Sequence, residues 1–361
     1  MNNLAQAHIN SDKKYFYVEK NLLKNSYFSF NPYKKKEISE KNMIRRIEKI
    51  KIVENKKIKS IWKISGNVSY GMPSNFDYIV FDSLLKFIYE KYNFPIPEII
   101  EFKIINIINN LNENKSGRLY SDIKESLQRM QATVINSQSS WYNKTLEKYE
   151  DISFSLISEI HFRGERNNNN EIIESDYLVF NKYFLDNLNN SYYFFFDITD
   201  RNKLFSPLAK RTFEMLTYYF FLYNQNTDKI NPFIIFNYTK IIYEWYFMKE
   251  EKYISRIKKQ LGKHYNELLK SHILDSYDIV KEEENIKIKF QVGNIISNNH
   301  LKKLETSKQI KEIKKHTDIS DIRIISLLRK YGFDATLRFA QRKMNLNLTE
   351  SLEELLGKSA K

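Results

Sequence analysis

The chain has 361 residues, with 58 Lys+Arg against 44 Asp+Glu, a net charge of +14, and no cysteine. That length is enough for two domains with their own cores. The lack of cysteine excludes disulfides, thiolate nucleophiles and cysteine metal sites, and fits a reducing compartment. The charge is uneven: residues 1–60 hold 15 basic and 6 acidic side chains, residues 293–361 hold 14 and 8, and residues 61–292 hold 29 and 30. Basic ends around a neutral centre suit a polyanion, because each phosphate neutralised releases condensed counterions. A membrane surface fits less well, since neither end shows a strong amphipathic helix with Trp or Phe on its apolar face. The most apolar stretch, 232–247, is interrupted by Lys240 and Glu244 and is too short to span a bilayer. The opening MNNLAQAHIN lacks a charged-then-apolar signal pattern. A cytoplasmic protein with no membrane partner is expected.

Residues 1–58 are polar and Lys-rich, with clusters at Lys34, Lys35 and Lys36 and in a helical-looking stretch at 41–53. They are expected to form a basic N-terminal arm against DNA phosphates, or a solvated leader. Residues 60–65 suggest a short strand. Residues 70–77 (YGMPSNFD) suggest a turn with Gly71 and Pro73, with Ser74 or Asn75 as N-cap. A helix over 76–92 would bury Ile79, Val80, Leu84, Phe87 and Ile88, and Pro95 and Pro97 would end it. Asp77 near its start suits the helix dipole.

Residues 99–163 carry the main signal. An apolar segment (99–110) is followed by a turn, ENKSG (113–117), and a second helix, RLYSDIKESLQRM (118–130). Two β-prone runs follow, 133–141 and 152–162. Helix, turn, helix and hairpin is the order of a winged helix-turn-helix. On the 118–130 helix, Leu119, Ile123, Leu127 and Met130 form one apolar face. Arg118, Ser121, Lys124 and Gln128 fall opposite, with Arg129 beside them. Such a face can reach base edges in a major groove, where Arg reads guanine and Gln reads adenine. An ordinary solvated face would look the same on this helix alone. Lys115, Ser116 and Tyr120 complete the candidate contacts here, and Trp141, Asn143 and Lys144 would act as a wing against the DNA backbone.

The motif YGMPSNFD leading into an apolar helix, and LYSDIKESLQRMQATVI at 119–135, resemble the replication initiator protein A family of bacterial plasmids. Tyr120, Leu127, Arg129 and Thr133 stand where that family's pattern has a tyrosine, a leucine, a basic residue and a threonine strand entry. The resemblance covers roughly 59–220. It implies an initiator that binds repeats in origin DNA through two winged helices. It also implies recruitment of host replication factors, such as the host initiator and helicase, and a homodimer in equilibrium with a DNA-binding monomer.

The polar loop GERNNNNE (164–171) is expected as a surface loop or a hairpin tip on DNA. Strands are expected at 172–179 and 192–198, with a short helix at 182–188 between them and a domain boundary at 199–204. The plan then repeats. Ser206 caps a helix with Pro207 at its first position, running to about 223 and burying Leu208, Phe213, Leu216 and Phe220. A loop (227–232), an aromatic helix (238–247), a long helix (250–274) and a hairpin (276–281 with 285–292) follow. On the long helix, Ile254, Ile257, Leu261, Tyr265 and Leu268 face inward. Lys252, Ser255, Lys259, Lys263 and Asn266 face outward, flanked by Arg256 and Lys258. A Lys-rich solvated face is the alternative. Gly262 interrupts this helix at a cost of about 1 kcal/mol against Ala, and suggests a kink. Two helices, 301–315 and 319–342, are expected in the tail, the second capped by Asp318 or Ser320, with Ile322, Ile325, Leu328 and Leu337 on its apolar face.

Catalytic patterns are missing. The six histidines (8, 161, 264, 272, 300, 316) contain no H-x-H pair of the kind rolling-circle nicking enzymes use. His264 and His272 lie two turns apart, too far for one metal without other ligands. There is no glycine-rich loop ending in G-K-[ST], and no Ser/His/Asp arrangement stands out. The expectation is an α+β protein of two tandem winged helix-turn-helix domains (59–200 and 201–292) with a basic N-terminal arm (1–58) and a helical C-terminal tail (293–361). It would bind double-stranded DNA at origin repeats to initiate plasmid replication, with no enzymatic step, metal or cofactor. A winged-helix transcription regulator and a nicking enzyme with an unrecognised site are the alternatives.

Overall fold

The computed structural model describes residues 15–31, 43–53, 56–111, 116–164, 175–225, 230–316, 324, 327–328 and 332–344. It opens with β1 (Tyr15–Glu19), α1 (Lys20–Lys24) and a long hairpin of β2 (Ile44–Val53) and β3 (Lys56–Ser65). A first set follows: α2 (Asn75–Lys91), β4 (Ile99–Phe102), α3 (Ile104–Leu111), α4 (Gly117–Ala132), β5 (Val134–Asn143), β6 (Lys148–Ser155), β7 (Ile157–His161) and β8 (Asp176–Phe180). Then come α5 (Lys182–Asn189), β9 (Tyr193–Asp197) and α6 (Ile198–Asn202). The second set is α7 (Pro207–Asn224), β10 (Phe233–Asn237), α8 (Tyr238–Lys240), which continues as a π-helix (Ile241–Tyr246), α9 (Ile254–Lys270), β11 (Leu274–Glu282) and β12 (Asn285–Val292). The tail holds α10 (Asn294–Lys314) and α11 (Phe333–Met344).

The repetition extends to strand order. One three-stranded sheet runs β4-β8-β7 and the other β10-β12-β11. In both, the strand that precedes the second helix pairs with the far strand of the hairpin that follows the third. The first set differs by an insertion: β5 and β6 join β2 and β3 in a separate four-stranded sheet, ordered β2-β3-β5-β6. The expected run 133–141 does enter a hairpin, β5 with β6, but that hairpin belongs to another sheet, and the expected run 152–162 is split between β6 and β7. The hairpin equivalent to β11–β12 is β7–β8.

Residues 15–30 are not an arm. β1 pairs along its whole length with β9, and Leu22, Leu23, Tyr27, Phe28 and Phe30 are buried. Burying each of these apolar side chains gains roughly 1.5–3 kcal/mol, which outweighs the solvation of the neighbouring lysines. Lys34, Lys35 and Lys36 lie outside the described residues. The helix expected at 41–53 is strand β2, paired residue for residue with β3 from Ile44↔Ser65 to Val53↔Lys56. Met43, Arg45, Ile47 and Lys49 point inward while Ile44, Arg46, Glu48 and Ile50 are exposed, a period of two that only a strand gives.

One apolar core runs from Phe16 to Ile296 through both sets of elements. The segment expected as an interdomain boundary, 199–204, lies on it. Arg201 in α6 is 2% exposed. Its guanidinium pairs with Asp82 of α2 at 2.5 Å and with Glu214 of α7 at 2.8 Å, and donates to Tyr78 Oη at 3.0 Å. The buried Glu214, the half-buried Asp82 and the arginine satisfy one another there, so this segment locks the sets together rather than linking them loosely. A smaller cluster of Ile313, Ile324 and Ala340 packs the tail. Gly332, with φ +78°, stands just before α11, so the expected 319–342 helix is broken where only glycine adopts that backbone readily. No described helix is long and apolar enough to cross a membrane.

Candidate nucleic-acid interface

α9 is built as its spacing predicts. Ile257, Leu261, Tyr265 and Leu268 are buried, and Lys252, Ser255, Arg256, Lys258, Lys259 and Lys263 are all exposed. Three nearby carboxylates are engaged elsewhere, and Asp278, across a groove from Lys258 and Lys263, makes no ion pair with them. Glu267 accepts from the backbone N–H groups of Phe205 and Ser206. Glu250 accepts from Thr239 Oγ1 and Tyr243 Oη. Glu251 reaches only Arg256, at 3.8 Å. Among the described residues Lys252, Lys258, Lys259 and Lys263 have no carboxylate partner. They are cations without an ion pair on α9 and in the turn just before it.

Two contacts fix that helix. Glu267 clamps the turn before α7, and His264 Nδ1 lies 2.5 Å from Ser206 Oγ, the N-cap of α7. Burial holds the His264 pKa below its ordinary value. On the opposite flank, Lys258, Gly262, Lys263 and Asn266 of α9 face Tyr277, Asp278 and Ile279 of β11 across a groove. Gly262 produces no kink; α9 is continuous through it. A Cβ there would lie 3.5 Å from Tyr277 Oη, so the glycine keeps the floor of the groove low. Asn266 and Tyr277, 3.5 Å apart at their polar atoms, belong to this surface. Asn266 is visible on the outer helical face of the sequence. Tyr277 is one of 25 tyrosines, and only the sheet places it.

The first set presents less. Ser116 caps α4 by accepting from the Leu119 N–H at 3.1 Å, and Lys115 lies outside the described residues. Arg118 is 92% exposed and only loosely paired with Asp122, at 3.8 Å. Tyr120 and Ser121 are exposed beside it. Lys124 is half-buried with its ammonium 4.4 Å above the Phe162 ring, and Gln128 is half-buried too. Arg163, exposed where β7 leaves the sheet, was not among the residues expected. It lies near Tyr120, beside Asp176, whose Oδ1 accepts from the Arg163 N–H at 2.9 Å.

Four of the expected contacts are engaged within the protein. Arg129 is turned inward: it donates to Asp77 Oδ1 and Glu125 Oε1, both at 2.6 Å, and to the Tyr70 carbonyl. Trp141 is wholly buried, stacked on Trp62 with centroids 6.2 Å apart, because a large aromatic gains most in the core. Asn143 donates to Glu150 Oε2 at 2.7 Å, and Lys144 pairs with Glu147 at 2.6 Å while its N–H donates to Asn187 Oδ1. These last three sit on the inserted β5–β6 hairpin, folded down onto α5, and not on the hairpin that flanks α4. Among the described residues, no group of three or more His, Asp or Glu could hold a metal ion.

Residues 36–200 match the family of replication initiator protein A. The two motifs that carry the resemblance, 70–77 and 119–135, meet in space through Arg129. Among solved structures, the selenomethionine form of domains 2 and 3 of RctB aligns at 11% identity. That alignment covers 75% of this chain and 97% of that one, with a TM-score of 0.46. A second crystal structure of RctB domains 2–3 aligns at 10% identity, over 78% and 99%, with a TM-score of 0.43. No curated protein matches the chain.

Proposed function

We propose that this chain is a cytoplasmic plasmid replication initiator that binds repeated double-stranded DNA at an origin through two winged helix-turn-helix units. Both sets of elements follow the winged-helix plan of three helices, a short strand and a two-stranded wing. α4 and α9 stand as recognition helices, and β7–β8 and β11–β12 as wings. The observation that carries the reading is the row of unneutralised cations on α9 beside its wing. Phosphate attraction comes mainly from Lys252, Arg256, Lys258, Lys259 and Lys263, and base reading from Arg118, Tyr120 and Ser121 of α4. The match of residues 36–200 to an initiator family supplies the replication role.

The protein does no bond chemistry in this reading; contacts and deformation of the duplex supply the energy for opening it. It uses no metal or cofactor. Recruited host initiator and helicase would act on the opened DNA, and a homodimer would dissociate to the binding form. The test is fluorescence anisotropy of the full chain on DNA flanking its own gene, against a shuffled duplex, across a salt series. Much tighter binding to tandem direct repeats, surviving added salt, supports an initiator. Preference for a palindrome instead points to a transcription regulator, and equal affinities that collapse together with salt overturn both.

A further inference from the structure

The cleft between β2 and α9 holds cations with no internal role. Arg45 of β2 points inward, half-buried, and burial lowers its pKa; the Tyr243 phenol is the neighbour that opposes this. Among the described residues no carboxylate pairs with it. Partial burial of a guanidinium with no carboxylate beside it among the described residues is costly, and an anion from outside would offset that cost. Arg46 beside it is exposed and paired with Glu48 at 2.6 Å. Across the cleft stands Lys249, also exposed and without a carboxylate partner. Its backbone is anchored on both sides: its N–H donates to Asn31 Oδ1 and its carbonyl accepts from Gln260 Nε2, both at 2.9 Å. The main chain of the lysine is therefore held at a fixed place on the rim. The acid on the lining, Glu251, is directed to Arg256.

Gln260 and His264 of α9 line the cleft one turn apart. Arg256 lies one turn earlier on the same line and borders the row of Lys252, Lys259 and Lys263. The cleft thus opens along the flank of the basic face, and a polyanion lying on α9 passes its mouth.

We propose that this cleft is a second phosphate-binding site, where Arg45 and Lys249 hold the backbone of the same duplex that α9 contacts. The inference rests on the DNA-binding reading above and adds a contact from the first half of the chain to DNA engaged by the second. The experiment is anisotropy of the full chain on the labelled flanking duplex and on the shuffled duplex over a salt series, for Arg45→Gln, Arg45→Lys, Lys249→Gln and Lys259→Ala. The expected result is a fall of about one unit in the salt slope on both duplexes for Arg45→Gln and for Lys249→Gln, with Arg45→Lys close to the parent. If Arg45→Gln loses its cooperative melt, the exposed Lys249→Gln variant decides. Unchanged slopes for the cleft variants, while Lys259→Ala lowers its slope, overturn the cleft site and leave the DNA-binding reading standing. Failure of the parent protein to bind either duplex overturns the reading itself, and the cleft site with it.

Discussion

Arg129 of α4 binds Asp77 at the start of α2, with 2.6 Å between Nη1 and Oδ1. Asp77 is fully buried, and its other oxygen accepts from Ser74 N–H at 2.6 Å and Ser74 Oγ at 2.9 Å. One carboxylate therefore caps α2 and anchors α4. Arg129 also holds the Tyr70 carbonyl, and Thr133 Oγ1 donates back to the Arg129 carbonyl at 2.8 Å. The turn, the helix start and the end of the candidate recognition helix form one connected unit.

Removing Asp77 should therefore be severe. Asp77→Ala leaves a largely buried guanidinium with only the partly exposed Glu125 and removes the α2 cap, and should cost about 3 kcal/mol, read from urea unfolding. Arg129→Ala should be destabilising by a similar mechanism while leaving base preference unchanged. A shift in preference at one base pair in a binding-site selection would instead put Arg129 on the DNA.

Arg118→Ala should lose about 1–3 kcal/mol of affinity for the specific site and relax selectivity at one position. Equal losses on specific and shuffled DNA would assign it to phosphate. Lys259→Ala should weaken both duplexes and lower the salt slope by about one unit, and an unchanged slope would remove that lysine from the interface.

Glu19 predicts a pH dependence. Burial raises its pKa from 4.5 to about 7, against hydrogen bonds from the Leu22 N–H and from Asn187 and the Asn21 neighbourhood. The folded state then binds more protons than the unfolded chain between those values. Its contribution to stability is complete below pH 4.5 and is lost as pH rises through about 7. Denaturant midpoints for Glu19→Gln should show a smaller fall over that window than the parent. Parallel profiles would rule Glu19 out as the source.

Gly262→Ala should stabilise α9 by up to about 1 kcal/mol, since its methyl would meet Tyr277 Oη at an ordinary van der Waals distance of 3.5 Å. Thermal melts test this. Gly262→Leu, which fills the groove, should weaken DNA binding while the chain still folds. Unimpaired binding by that variant would show that the groove stays empty in the complex.

Local signals were legible where one element's own residues decide it. Ser206 followed by Pro207 marks a helix start, and Ser206 Oγ accepts from the Ala209 N–H as a cap should. The buried and exposed sides of α9 follow directly from its spacing. β2 was not legible, because Ile44, Ile47 and Ile50 recur every three residues and imitate a helix. The decisive fact, pairing with β3, lies in another segment. The wing was misplaced for the same reason. Two β-prone runs, 133–141 and 152–162, are visible in the sequence, but whether the first flanks α4 or joins β3 depends on the pairing of Ile64 with Ile135. Trp141 and Arg129 have side chains that suit DNA and suit a core equally well, and only their neighbours choose.

The antiparallel ladder of β1 on β9, with Tyr15 opposite Asp197, has a consequence for synthesis. The ribosome releases β1 and the aromatic stretch from Tyr27 to Phe30 long before it releases the strand that receives them. Contacts so remote in sequence form slowly, and the surface waiting for them is open to misassociation. A nascent chain halted short of Asp197 should expose these aromatics to proteases and chaperones, and should become resistant once β9 has emerged.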